Sequence, residues 1–150
     1  MLIEALAETD LGRIRPLLLD LLSQEQAPGP GLTRPQLEEW LPRTHARFQG
    51  ENHVFAAQEG SRLVGFCWCV LFDPGTGLEG EVAELYVAPQ ARGGGVARLL
   101  LERAVELFSS RRVTFACVWT GADNLAAVRA YRAAGFAPTD QVVLTWYPGR

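Results

Sequence analysis

The chain of 150 residues contains no lysine, and its fourteen basic side chains other than histidine are all arginine. A nucleotide-binding P-loop needs Gly-Lys-Ser/Thr at a helix entry, so that class is excluded. The absence otherwise reads as codon bias and carries no mechanistic weight. Cysteine is scarce as well: Cys67, Cys69 and Cys117 are too few, and odd in number, for a disulfide framework. Cys67 and Cys69 flank Trp68 in an apolar run, where strand alternation puts both thiols on one sheet face as buried, reduced groups. The two histidines, His45 and His53, lie in different segments without paired-ligand spacing, and no metal site is expected. Positive charge is not in excess: the net charge is -3 and the pI near 5.4, which leaves no footprint for nucleic acid. The longest apolar run, "LVGFCWCVLF" at 63–72, is about half of what crosses a bilayer, so no membrane association is expected. "MLIEALAETD" has early acids, no basic n-region and no sustained apolar h-region, which argues against a signal peptide and for a cytoplasmic location.

What is present is a composition of 48% hydrophobic and 21% charged residues, typical of a soluble globular protein. The length suits one domain spanning residues 1–150. A short strand-like opening leads to a helix over 10–24, in which Leu11, Ile14, Leu18, Leu21 and Leu22 recur at helical spacing. Pro16 falls inside it and implies a kink or a later start. "QAPGPG" at 26–31 is a loop, after which Thr33 caps a helix running to about residue 47, with Pro35 in its first turn. "HVFAAQ" and "RLVGFCWCVLF" form a hairpin through "EGSR", and "EVAELYVA" is the next strand. A glycine stretch, a helix to about Ser109, the strand "RVTFACVWT" and the capped helix "DNLAAVRAYRAAGF" follow, with Gly135 in the C′ position. "QVVLTWY" is the expected final strand. The order βααβββαβαββ predicts a mixed, mostly antiparallel sheet flanked by four helices, of the α/β (α+β) class.

The glycine stretch "RGGGVA" lies between a strand and a helix. Helix N-termini expose unpaired N–H groups and the positive end of the macrodipole, and glycines let phosphate oxygens approach the backbone. The dinucleotide fingerprint fails there, since its third glycine would fall at Arg98 and the following strand, ending "CVWT", lacks the acid. What remains is Arg92-x-x-Gly95-x-Ala97, preceded by "ELYVAP". This stretch resembles the acyl-CoA-binding motif, Arg/Gln-x-x-Gly-x-Gly/Ala, of the GNAT superfamily of N-acetyltransferases. A second segment, Asn124-x-x-Ala127-x-x-x-Tyr131-x-x-x-Gly135-Phe136, is similar to that family's later helix, and the element order agrees across nearly the whole chain.

The resemblance implies the GNAT fold and transfer of an acetyl group from acetyl-CoA, as co-substrate, to a primary amine by direct attack in a ternary complex. The pyrophosphate would rest on the backbone around Gly93, Gly94, Gly95, Ala97 and Arg98. Arg92 and Arg98 would add charge, and Val96 would turn into the core. Leu85, Tyr86 and Val87 would pair with the pantetheine amides. Asn124 and Tyr131, with Ala127 between them, are two turns or about 10 Å apart on one helix face, which suits a long thin cofactor arm. Tyr131 would act as general acid to the leaving thiolate. An amine of pKa near 10.4 must first lose a proton, at a cost of about 4.6 kcal/mol at pH 7. Glu84 is the expected base, through water; alternation points Glu81 to the opposite face, and a bulge would re-aim both.

The acceptor is open among small-molecule amines, aminoglycosides, polyamines and peptide or protein amines. Glu38, Glu39, Trp40, Glu79 and Glu81 make either an acidic, aromatic entrance for a cation or a plain solvated surface. The acidic overall charge favours a cationic acceptor. The alternative from another class is a non-catalytic CoA-binding sensor or interaction module on the same fold. Homodimers are common in the family, but no interface is legible in this sequence.

Overall fold

The computed structural model describes residues 1–25, 33–40, 50–73 and 77–146. The expected loop at 26–31, the second helix beyond residue 40 and Tyr147 of the final strand lie wholly or mostly outside these. Five strands form one sheet in sequence order, β1 (Leu2–Leu6), β2 (Glu51–Glu59), β3 (Arg62–Phe72), β4 (Glu79–Val87) and β5 (Phe115–Val118). The first four are antiparallel neighbours, whereas β4 and β5 are parallel. Parallel neighbours require a crossover, which helix α3 (Val96–Ser110) supplies.

The first helix differs from its sequence reading. Residues Glu8–Ile14 are a 3-10 segment, and α1 proper runs over Arg15–Glu25 with Pro16 in its first turn. Proline has no N–H to give an α-helix interior, and the first turn is where that loss costs nothing. The short helix α2 (Arg34–Trp40) begins at Thr33, where Gln36 Oε1 accepts from the Thr33 backbone N–H at 2.9 Å, half of a capping box.

The central strands read as near-continuous apolar runs because both sheet faces are covered. On one face Phe55, Cys67, Cys69, Val82, Leu100, Leu101 and Phe108 form a core under α3 and the last helix, α4 (Leu125–Ala133). On the other, Ile14, Leu17, Leu21, Val54, Phe66 and Tyr86 form a core under α1. Cys67 and Cys69 share a face as expected, both buried with sulfurs 3.7 Å apart; the hydrogen bond with Cys69, and then burial, push the Cys67 thiol well above its usual pKa.

Among the described residues the expected final strand is not formed. Residues 137–146 make no ladder, and Leu144 and Trp146 are 91% and 80% exposed. Val142, Val143 and Leu144 are apolar in succession, so no period of two marks one face for burial and fixes a register. Among the described residues no helix is long and apolar enough to cross a membrane, and no three His, Cys, Asp or Glu side chains group to hold a metal.

Candidate acyl-transfer site

The sheet opens at its one parallel pair. β4 is paired with β5 only from Glu79–Phe115 to Val82–Val118, and then continues five residues further alone on that edge. A cavity of about 540 Å³ occupies the opening. Val82, Ala83, Glu84 and Leu85 of β4 line one side, and Trp119, Thr120 and Gly121 beyond β5 line another. Asp123, Asn124, Ala127 and Tyr131 complete it from the start and body of α4, and Gln24 reaches it from α1.

Local sequence sets the α4 side chains. Asn124 is the N-cap, with its side-chain Oδ1 accepting from Ala127 N–H at 3.3 Å, so the cap is Asn124 and not the neighbouring Asp123. Gly135, at φ +98°, ends the helix in a Schellman motif: its N–H donates to Arg132 O and that of Phe136 to Tyr131 O. The same motif brings Phe136 against Tyr131, ring centroids 6.0 Å apart and edge-on, while Tyr131 is 8% exposed. The "AAGF" that follows Tyr131 in the pattern thus braces its ring.

A bulge aims the carboxylates. Trp68 pairs with Glu84 but Cys69 pairs with Val82, so Ala83 is an extra residue in β4. Simple alternation would send Glu81 and Glu84 to opposite faces. With the bulge, Glu81 lies opposite Val70 and Glu84 opposite Trp68, two residues apart on β3 and so on one face. Only Glu84 lines the cavity. Glu81 lies in register with Cys117, and its charge adds to burial in raising that thiol's pKa.

The glycine stretch follows a 3-10 turn, Pro89–Ala91. Gly95 is the N-cap of α3 at φ +80° and ψ 7°, and having no side chain it gives the first N–H groups of the helix no side-chain cap. Gly93 shares the left-handed backbone at φ +79°, and a Cβ on either residue would meet nothing within 4 Å. Gly94 has no such φ, and a Cβ there would make an ordinary contact with Ala91 O at 3.7 Å. Val96 is buried, as expected. Arg98 is engaged by Glu102 one turn on. Arg92 donates from Nε to Val87 O at 2.9 Å and from Nη2 to Gln24 Oε1 at 2.7 Å.

Of the sequence-predicted residues, Glu84, Leu85, Asn124, Ala127 and Tyr131 meet in the cavity, whereas Tyr86, Val87 and the run Arg92–Arg98 lie outside its lining. Tyr86 faces the α1-side core. Trp119, Thr120 and Gly121 were missed; their place just past the C-terminal end of a parallel strand was the available signal. Gln24 carried none. Of the acidic entrance, Glu38 holds Arg34 at 3.7 Å on α2, and Glu79 and Glu81 lie where β4 pairs with β5, outside the cavity lining.

An α/β fold with one mixed sheet that opens where β4 and β5 part is the class these features define, and solved structures share the fold. A soil-metagenome aminoglycoside acetyltransferase superposes with a TM-score of 0.73, at 17% identity over 99% of this chain and 96% of its own. An aminoglycoside N-acetyltransferase in complex with CoA gives 0.67, at 17% identity over 97% and 98%. The ribosomal-protein-alanine N-acetyltransferase of Brucella melitensis gives 0.72, at 21% over 98% of each.

Residues 18–136 match the family model "Acetyltransferase (GNAT) family", and the chain belongs to that family. Among relatives by sequence, the mycothiol acetyltransferase of Tsukamurella paurometabola is 37% identical over 82 residues, 55% of this chain and 28% of that protein. That of Thermobifida fusca is 35% identical over 95 residues, 59% and 29%. The chain therefore spans less than a third of the length of these curated relatives.

Proposed function

We propose that this chain is an acyl-CoA-dependent N-acetyltransferase that passes an acetyl group from acetyl-CoA directly to a primary amine. The observation that carries this reading is one cavity, at the parting of β4 and β5, onto which Tyr131 and Glu84 both open. The residues fit the co-substrate. The N–H groups at the start of α3 suit a pyrophosphate, the Cβ positions of Gly93 and Gly95 open onto clear space, and the unpaired edge of β4 suits an amide-bearing arm.

Bound acetyl-CoA supplies the activated acyl group as a thioester. Leu85 and its neighbours offer backbone groups to the arm, which Asn124 and Ala127 flank. Glu84 takes the proton of the incoming ammonium through water, and Tyr131 protonates the departing thiolate as the C–S bond breaks. Gln24 enters the cavity from the α1 side and Tyr131 from the α4 side, an arrangement that suits two substrates meeting across the sheet without a covalent enzyme intermediate.

The test is thiol release from acetyl-CoA across a panel of amines. Polyamines, aminoglycosides, an alanine-terminated peptide and the acceptor of the mycothiol acetyltransferases make up that panel. Turnover with at least one of them is expected. Tight CoA binding with no thiol release from any would favour a non-catalytic CoA sensor instead.

A further inference from the structure

Gln24 is the penultimate residue of α1, and both ends of its amide are used. Nε2 donates to Tyr86 Oη at 3.1 Å, and Oε1 accepts from Arg92 Nη2 at 2.7 Å. Arg92 closes the circuit: its Nε donates to Val87 O, and its guanidinium carbon sits 5.9 Å from the centre of the Tyr86 ring. Tyr86 is itself fixed, 3% exposed, with its ring centroid 6.2 Å from that of Phe66. Three distant parts of the chain therefore meet here: the end of α1, the end of β4 and the residue that opens the glycine stretch. Arginine has a long, entropically costly side chain, and a guanidinium held at three points is pre-organised where a free one is not.

We propose that Gln24 is a positioning residue that acts through Arg92. It holds that guanidinium, and with it the entry to the glycine stretch, in the arrangement that receives the CoA phosphates. The role rests on the acyl-CoA reading above. It also ties α1, which walls the cavity through Gln24, to the loop on the donor side.

A double-mutant cycle of Gln24→Met and Arg92→Met tests it, with CoA as probe and affinity read by calorimetry. Methionine keeps the length and helix propensity of glutamine and removes both hydrogen bonds. Gln24→Met should weaken CoA binding about tenfold in the wild-type background and leave it unchanged in the Arg92→Met background, the mark of a residue acting through its partner. Equal losses in both backgrounds, or no loss in the first, would overturn the role. A readout without CoA guards against a fold defect: the Arg92 Nη2–H resonance, whose acceptor is Gln24 Oε1, should be slow to exchange in the wild type and fast in Gln24→Met. An unaltered exchange rate also overturns the proposal. Wild-type protein that binds no CoA overturns the acyl-CoA reading itself, an outcome distinct from binding that Gln24→Met leaves intact.

Discussion

Tyr131→Phe should cut turnover by about 10²- to 10⁴-fold, the range in which a positioned general acid contributes. Acetyl-CoA affinity should stay within about tenfold of wild type, as expected for one neutral hydrogen bond at most. The expectation is sharp because the substitution changes so little else. The ring of Tyr131 is buried, leans edge-on against Phe136, and sits on a helix closed by the Schellman bonds at Arg132 and Tyr131; phenylalanine keeps all of these. Only the hydroxyl leaves the cavity. Single-turnover kinetics with an amine that supports turnover isolates the chemical step. An unchanged rate there would remove Tyr131 from the acid role.

Gly95→Val should weaken CoA binding by about 100-fold, close to 2.7 kcal/mol. Two effects combine. At φ +80° a β-branched residue is strained by about 1 to 3 kcal/mol, and relieving that strain turns the peptide plane at the start of α3. The side chain would also stand in the open space before the helix N-terminus, where an anion would approach its N–H groups. Gly94→Ala is the control, since its backbone is not left-handed and the added methyl makes only an ordinary contact. It should bind CoA within about twofold of wild type, the scale of a surface substitution. Undiminished CoA binding by Gly95→Val would put the pyrophosphate elsewhere.

Local patterns carried much of the fold. In α3 the apolar pattern points to Val96, Leu100, Leu101 and Leu107; the first three are buried, while Leu107 is half-buried and Phe108 beside it fills the core. The two-turn spacing of Asn124 and Tyr131 brought both to one cavity. What the sequence did not reveal depends on partners far along the chain. Nothing in "EVAEL" marks Ala83 as the extra residue; the bulge is visible only against β3, and it reverses where Glu81 and Glu84 point relative to each other. β5 is shorter than its β-forming sequence because β4 runs beside it for four residues only. Gln24 is a polar residue near the end of an amphipathic helix, and its partners lie 62 and 68 positions away. The terminal segment "QVVLTW" has strand composition without strand periodicity, and composition alone did not give it a neighbour.

The most direct measurement is a titration of the isotope-labelled protein with CoA, followed through its backbone amide resonances. The largest shifts are expected at Gly95, Val96, Ala97 and Arg98, with a second group at Leu85 and Asn124 along the opening between β4 and β5. Shifts confined to the shallow groove between β2 and α3, at His53, Phe55 and Arg103, would contradict it, as would no shift at saturating CoA.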